Sequence, residues 1–129
     1  MGLIREREAL IVVDHYTKWT HVLPMDGHMS LQVQMCLLKH LGKATVSRCY
    51  SDRAPEFMKA CGTLGIALDQ SNPGKPQSNG LIESYVGKVV RGTHALLEAS
   101  GLPESFWPLA SQSFCFGHNM QKNSQGQSP

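Results

Sequence analysis

At 129 residues the chain has room for one domain around one core. A hydrophobic share of 41% against 17% charged residues excludes an intrinsically disordered polymer. A net charge of +2 and a pI near 8.4 exclude a generally polycationic binder, so any contact with nucleic acid must come from a local basic patch, with metal ions offsetting charge at the site.

No apolar run is long enough to span a bilayer, and "RERE" interrupts the approach to the first short one, unlike a signal peptide. Glu6 stands where a myristoylation signal wants Ser or Thr. The chain reads as soluble and intracellular, with no membrane partner.

In chain order, "ALIVVD" (9–14) is a short apolar run rich in β-branched residues and reads as a buried strand. After the polar turn "HYTK", "WTHVLPM" (19–25) places Trp19, His21, Leu23 and Met25 on one face and Val22 on the other. The two segments read as a hairpin without an Asn-Gly turn. Ser30 can cap a helix over 31–41, whose broad apolar face is Leu31, Val33, Met35, Cys36, Leu37, Leu38 and Leu41; Gly42 stops it.

"ATVSRCYSD" (44–52) is a strand ending on Asp52, "PEFMKACGTLG" (55–65) a short helix with Pro55 near its start, and "IALDQS" (66–71) another strand. A polar segment rich in Pro, Gly, Ser and Asn follows, "SNPGKPQSNG". A helix then runs from about Leu81 to Ala99 on the stripe Ile82, Val86, Val89, Leu96 and Leu97. "SGLP" leads into a last helix over about 103–120 carrying Phe106, Trp107, Leu109, Phe114 and Phe116, with Pro108 in its opening turn. Residues 1–120 read as one domain and 121–129 as a frayed tail. The order β-β-α-β-α-β-α-α predicts an α/β fold, a mixed sheet with helices on its faces.

The four cysteines, Cys36, Cys49, Cys61 and Cys115, form no CxxC pair and read as free thiols. The six histidines are scattered without a His-His-Cys-Cys grouping, so no structural zinc is expected.

Two carboxylates stand out. Asp52 ends a strand, where open α/β sheets bind ligands, although an Asp there is also an ordinary turn or cap residue. Glu83 falls in what reads as a first helical turn, where it also serves the helix dipole. It shares a helical flank with Gly87, Arg91 and His94, and a glycine one turn on leaves space for a ligand at a cost of about 1 kcal/mol relative to alanine. Gly92 repeats that cost. Two carboxylates at converging ends can hold magnesium or manganese through oxygen, and paired metals support in-line phosphoryl displacement.

"SDRAPEF" followed by "LGIALDQSNPGKPQSNGLIES" resembles the catalytic core of retroviral and retrotransposon integrases. Ser51, Asp52, Glu56 and Phe57, then Gly65 and Ile66, then Pro73, Pro76, Gln77, Asn79, Gly80 and Glu83 carry the likeness. "ASGLPESFWPLA" and "FCFGHN" resemble the family's following segment, most of all in copia-type polyproteins.

The resemblance implies a ribonuclease H-like fold, an Asp-Asp-Glu triad with two magnesium ions, trimming of cDNA ends by water and attack of the new 3′ hydroxyl on target DNA. It makes Asp52 the second carboxylate and Glu83 the third, with a flexible loop before Glu83 that closes around metal and DNA. It also implies dimers or larger DNA assemblies, and a nuclear location in a eukaryotic host.

The likeness departs in places. "VVDHYTKWTHVLPM" resembles the family's second and third strands, which makes Asp14 a turn residue, with a substitute metal ligand as the alternative. The chain therefore reads as a core lacking the family's first strand and first catalytic aspartate, with activity impaired accordingly. Asp52 and Glu83 are 31 positions apart, short for the family, and Arg53-Ala54 replaces the usual Asn-Gly. The competing reading is a nonenzymatic module of the same fold that binds nucleic acid or a partner. There Lys75, Lys88 and Arg91 would touch phosphates and Gln77 and Asn79 bases or sugars, unless all five are solvated surface. A ribonuclease H-like nuclease that is not an integrase is a third reading, disfavoured by the loop motif.

Overall fold

A computed structural model describes residues 6–27, 29–42, 46, 48–51, 54–70 and 76–121, with the backbone alone at 70 and 76–79. Strands β1 (Glu8–Val13) and β2 (Thr20–Met25) are followed by α1 (Ser30–Leu41), β3 (Arg48–Ser51), α2 (Pro55–Leu64) and β4 (Ala67–Gln70). Helix α3 (Pro76–Ser100), a 3-10 turn (Glu104–Phe106) and α4 (Trp107–Met120) complete the chain. This is the expected order of strands and helices.

Strands β1 and β2 form the expected antiparallel hairpin, in register from Glu8↔Met25 to Val13↔Thr20. The connection is built by Asp14, whose Oδ1 accepts the backbone N–H groups of Tyr16 (2.9 Å) and Thr17 (2.7 Å). Those bonds hold its carboxyl below the usual range. The left-handed backbone that an Asn-Gly pair would normally supply falls on Lys18 (φ 65°). Trp19 lies outside the strand and is exposed.

The apolar run of β1 is nearly continuous because the hairpin is covered on both faces. On one face Leu10, Val12, Leu23 and Met25 meet Val33, Cys36 and Leu37 of α1 and Ala60 and Cys61 of α2. On the other, Ala9, Ile11 and Val22 meet Val89 of α3 and Phe114 and Cys115 of α4. Val22 thus faces away from Leu23 and Met25, as the alternation predicts.

Strands β3 and β4 pair in parallel, Arg48↔Ala67 through Ser51↔Gln70, with α2 as the crossover. Gly65 ends α2 in the left-handed region (φ 70°), its N–H returned to the last turn. Among the described residues the hydrogen-bonded ladders form two two-stranded sheets rather than one continuous sheet. Apolar packing is what joins them: Ile66 and Leu68 belong to the same cluster as Leu10 and Leu23.

The helices depart from the sequence reading in several ways. Ser30 is the first residue of α1 and Met29 is its cap, with no side-chain capping bond. The broad apolar face of α1 splits: Val33, Cys36 and Leu37 are buried, while Leu31, Met35 and Leu38 are exposed. Its width exceeds the arc that one layer of the hairpin and α2 can cover.

In α3 the axis of burial runs through Tyr85, Val89 and Thr93, leaving Val86 and Leu96 exposed. Thr93 is tolerated there because its hydroxyl donates to the Val89 carbonyl (2.7 Å). In α4 the buried residues are Pro108, Ser111, Cys115 and Asn119, whereas Leu109 and Phe116 are exposed. The small stripe lets α4 approach β2 and α3 closely. The Phe114 ring lies on the Gly92 backbone, so a Cβ at Gly92 would stand 2.6 Å from Phe114 Cγ and nearer still to the ring edge.

The cysteines are free thiols, with Cys36, Cys61 and Cys115 buried. Burial pushes Cys49 and Cys115 up to about 11. Among the described residues no helix is long and apolar enough to cross a membrane. Most of the expected frayed tail, 122–129, lies outside the described residues.

Asn119 closes the fold. Its Oδ1 accepts the Thr20 N–H (2.9 Å) and its Nδ2 donates to the Thr20 carbonyl (2.7 Å), with both residues buried. Asn119→Ala leaves both backbone groups without partners and should destabilise the chain by about 2–4 kcal/mol in urea unfolding.

Burial also lowers the pKa of His21, His40 and His118 from the ordinary 6.5. The unfolded chain therefore takes up protons first as pH falls through the ordinary histidine value. Thermal unfolding at neutral pH and near pH 5 should show stability falling toward the acid side, the loss beginning near the ordinary histidine pKa.

Candidate active site

The integrase-like reading rests on two carboxylates brought by two elements. Strand β3 ends at Ser51, directly before Asp52, and α2 begins at Pro55. Asp52 itself lies outside the described residues, as does Lys75. Gln77 and Asn79 lie within α3, where only the backbone is described.

Glu83 is exposed on α3. The helix begins at Pro76, five residues before the expected start at Leu81, so Glu83 sits about two turns inside it rather than in the first turn. Proline's fixed φ suits a first helical position, and the long buried stripe behind it carries the weak helix formers Ser78, Asn79 and Gly80. The helix-dipole account of Glu83 fails for that reason, because the effect fades beyond the first turn. The half of the polar segment nearest Glu83 is helix; residues 71–75 lie outside the described residues.

Gly87 follows one turn after Glu83. The space above it is not left open for a ligand, because the Arg91 guanidinium folds back over it. A Cβ there would stand 3.1 Å from Arg91 Nη1. The helical flank that holds Glu83 thus carries a cationic group one turn away. Lys88, also exposed, places its ammonium 4.5 Å from the centre of the Tyr85 ring. Tyr85 meets His118 edge-on at 5.7 Å, and His118 stacks on Phe114 at 6.2 Å. Burial, followed by the Lys88 charge, lowers the His118 pKa.

Tyr85 is the residue that sequence reasoning passed over. Its spacing from Lys88, three positions along one helix, is a signal that could have found it. Glu83, Lys88 and Arg91 are all exposed on α3; Arg91 lies on the flank of Glu83, whereas Lys88 lies about 140° around the helix, beside Tyr85. Glu83 is an exposed carboxylate and so a suitable hard oxygen donor for magnesium or manganese.

This arrangement of hairpin, crossover pair and flanking helices is a ribonuclease H-like fold, that of the retroviral integrase catalytic core. The catalytic core domain of BIV integrase aligns over 92% of this chain and 80% of its own, with a TM-score of 0.69 and 22% identity. A chain of the simian T-cell lymphotropic virus intasome in complex with PP2A regulatory subunit B56 gamma aligns over 92% of this chain and 44% of its own, with a TM-score of 0.70 and 22% identity.

In sequence, the chain is related to retrotransposon polyproteins. It is 29% identical over 111 residues, 81% of its length, to the retrovirus-related Pol polyprotein from transposon RE2 of Arabidopsis thaliana. It is 36% identical over 61 residues, 47% of its length, to that from transposon TNT 1-94 of Nicotiana tabacum. The matches span 8% and 5% of those polyproteins. No family model matches the chain.

The two glycines of α3 should respond oppositely to alanine. Gly92→Ala forces the Phe114 ring off the helix and should cost about 1–3 kcal/mol. Gly87→Ala needs only the flexible end of Arg91 to move and should be neutral or stabilising by up to about 1 kcal/mol. Urea denaturation of the two variants beside the parent chain reads both values.

Proposed function

We propose that the chain is an integrase catalytic-core section of a retrotransposon polyprotein, acting in DNA integration by phosphoryl transfer at cDNA ends and target DNA. The observation that carries this reading is the alignment of 92% of the chain with an integrase catalytic core, joined to an exposed Glu83 where the integrase motif puts its last carboxylate. The domain is taken as residues 1–120.

In this reading Asp52 and Glu83 hold the divalent cation. Magnesium or manganese, when bound there, supplies charge neutralisation at the phosphoryl oxygens. Lys88 and Arg91 bind and orient the phosphate backbone beside Glu83, each by point charge or guanidinium fork. Lys75, Gln77 and Asn79, ahead of Glu83 in the chain, add contacts to phosphate, sugar or base edges. Asp14 is placed in the hairpin turn by two backbone hydrogen bonds to one oxygen, so it serves the turn in this reading. The integrase motif maps two of three carboxylates onto these 129 residues, so the chain by itself is expected to turn over weakly. Assembly of copies on DNA and a nuclear site of action belong to the same proposal.

The second reading, a nonenzymatic DNA-binding module, is favoured by the exposure of Lys88 and Arg91 on one helix. A strand-transfer assay with manganese and short duplex ends separates the two. Product formed by the parent chain and lost in Glu83→Gln, with DNA affinity kept, supports the enzyme. Salt-sensitive binding without product, its salt slope reduced by roughly one per charge in Lys88→Ala and Arg91→Ala, supports the module. Neither product nor salt-sensitive binding rejects both.

A further inference from the structure

The fold brings together two histidines that the sequence separates by 19 positions. His21 lies in β2, next to the Thr20 backbone that Asn119 clamps. His40 lies in the last turn of α1, which Gly42 closes by donating its N–H to Leu38. Their Nδ1 atoms are 3.0 Å apart, and the rings are tilted by 44° with centroids 5.2 Å apart. The rings are therefore tilted rather than stacked, with their Nδ1 atoms within hydrogen-bond distance. In the free chain one Nδ1–H can donate to the other Nδ1, which accepts.

We propose that His21 and His40 form a binding site for a zinc-type transition-metal dication, held between their two Nδ1 atoms. A tetrahedral ion with metal–nitrogen bonds of about 2.0–2.1 Å spaces two ligand nitrogens by about 3.3 Å. The observed separation thus needs a widening of only a few tenths of an ångström. Binding moves the single shared Nδ1 proton to that ring's Nε2, so both imidazoles stay neutral and both Nδ1 lone pairs face the ion. Water fills the remaining positions.

Several features favour the dication. Both rings are half-buried, and burial lowers their pKa, which favours the neutral imidazole that binds a metal. Asp14, in the hairpin turn, adds negative potential at His40; Lys39, its neighbour on α1, is the nearby cation. The thiols do not compete readily, because burial raises Cys36, Cys49, Cys61 and Cys115. Imidazole nitrogen selects zinc, copper or nickel over magnesium, so this site differs in chemistry from one built on Asp52 and Glu83. The expectation of no zinc followed from the absence of a clustered motif in the sequence. Here the cluster is made by a strand and a helix that pack side by side.

The inference stands independently of integration activity. The test is titration of the full chain with zinc chloride near neutral pH under a metal-compatible reductant, by calorimetry and by imidazole nitrogen NMR. One zinc per chain is expected, with the Nδ1 resonances of His21 and His40 shifted and excess magnesium without effect. Affinity should fall roughly tenfold or more in His21→Gln and in His40→Gln, and stay unchanged in His94→Gln, an exposed histidine of α3. His40→Gln, near a helix end, is the variant to use if His21→Gln does not fold. Absence of zinc binding, affinity unchanged in the folded variants, or shifts confined to other histidines would overturn the site.

Discussion

The molecule depends on a two-sided β-hairpin. Strand β2 cannot turn either face to water: Leu23 and Met25 are claimed by α1 and α2, and Val22 by α3 and α4. The burial that stabilises such a strand also strips water from its backbone ends, and Thr20, the first residue, is almost wholly enclosed. The Asn119 amide supplies there the donor and the acceptor that a neighbouring strand would have supplied. One side chain near the end of α4 thereby fixes the helix to the sheet and satisfies both backbone groups of Thr20.

From that anchor the exposed face of α3 follows. With α4 held on β2, the Phe114 ring fixes how near α3 can come, and Gly92 is the position that admits it. Tyr85, Val89 and Thr93 then face inward, which turns Glu83, Lys88 and Arg91 outward. The glycines of α3 therefore have separate purposes. Gly92 admits an aromatic ring, and Gly87 gives the guanidinium of Arg91 somewhere to lie.

Much of this was legible in the residues. The apolar run at β1, the alternation in β2, Pro55 at the head of α2 and Gly65 at its end each carry a local physical signal, and the elements formed where those signals stand. The integrase-like motifs likewise point to the fold that the chain adopts. What was not legible arose from tertiary packing. Nothing local says that α4 would bury Ser111 and Asn119 and expose Phe116, since that choice is made by how closely two helices approach. The early start of α3 was hidden because Ser78, Asn79 and Gly80 are weak helix formers that rely on the long buried stripe behind them. The meeting of His21 and His40 belongs to the same class, a contact between a strand and a helix.

The sulfur of Cys115 offers a way to watch these contacts loosen. It is enclosed between α4 and the hairpin, and its thiol is pushed up to about 11, so at ordinary pH it is both unreachable and protonated. An alkylating reagent can reach it only in the moments when α4 lifts from β2. The rate of its labelling in the native protein is therefore a clock for the undocking of that one helix, separable from global unfolding by its dependence on denaturant.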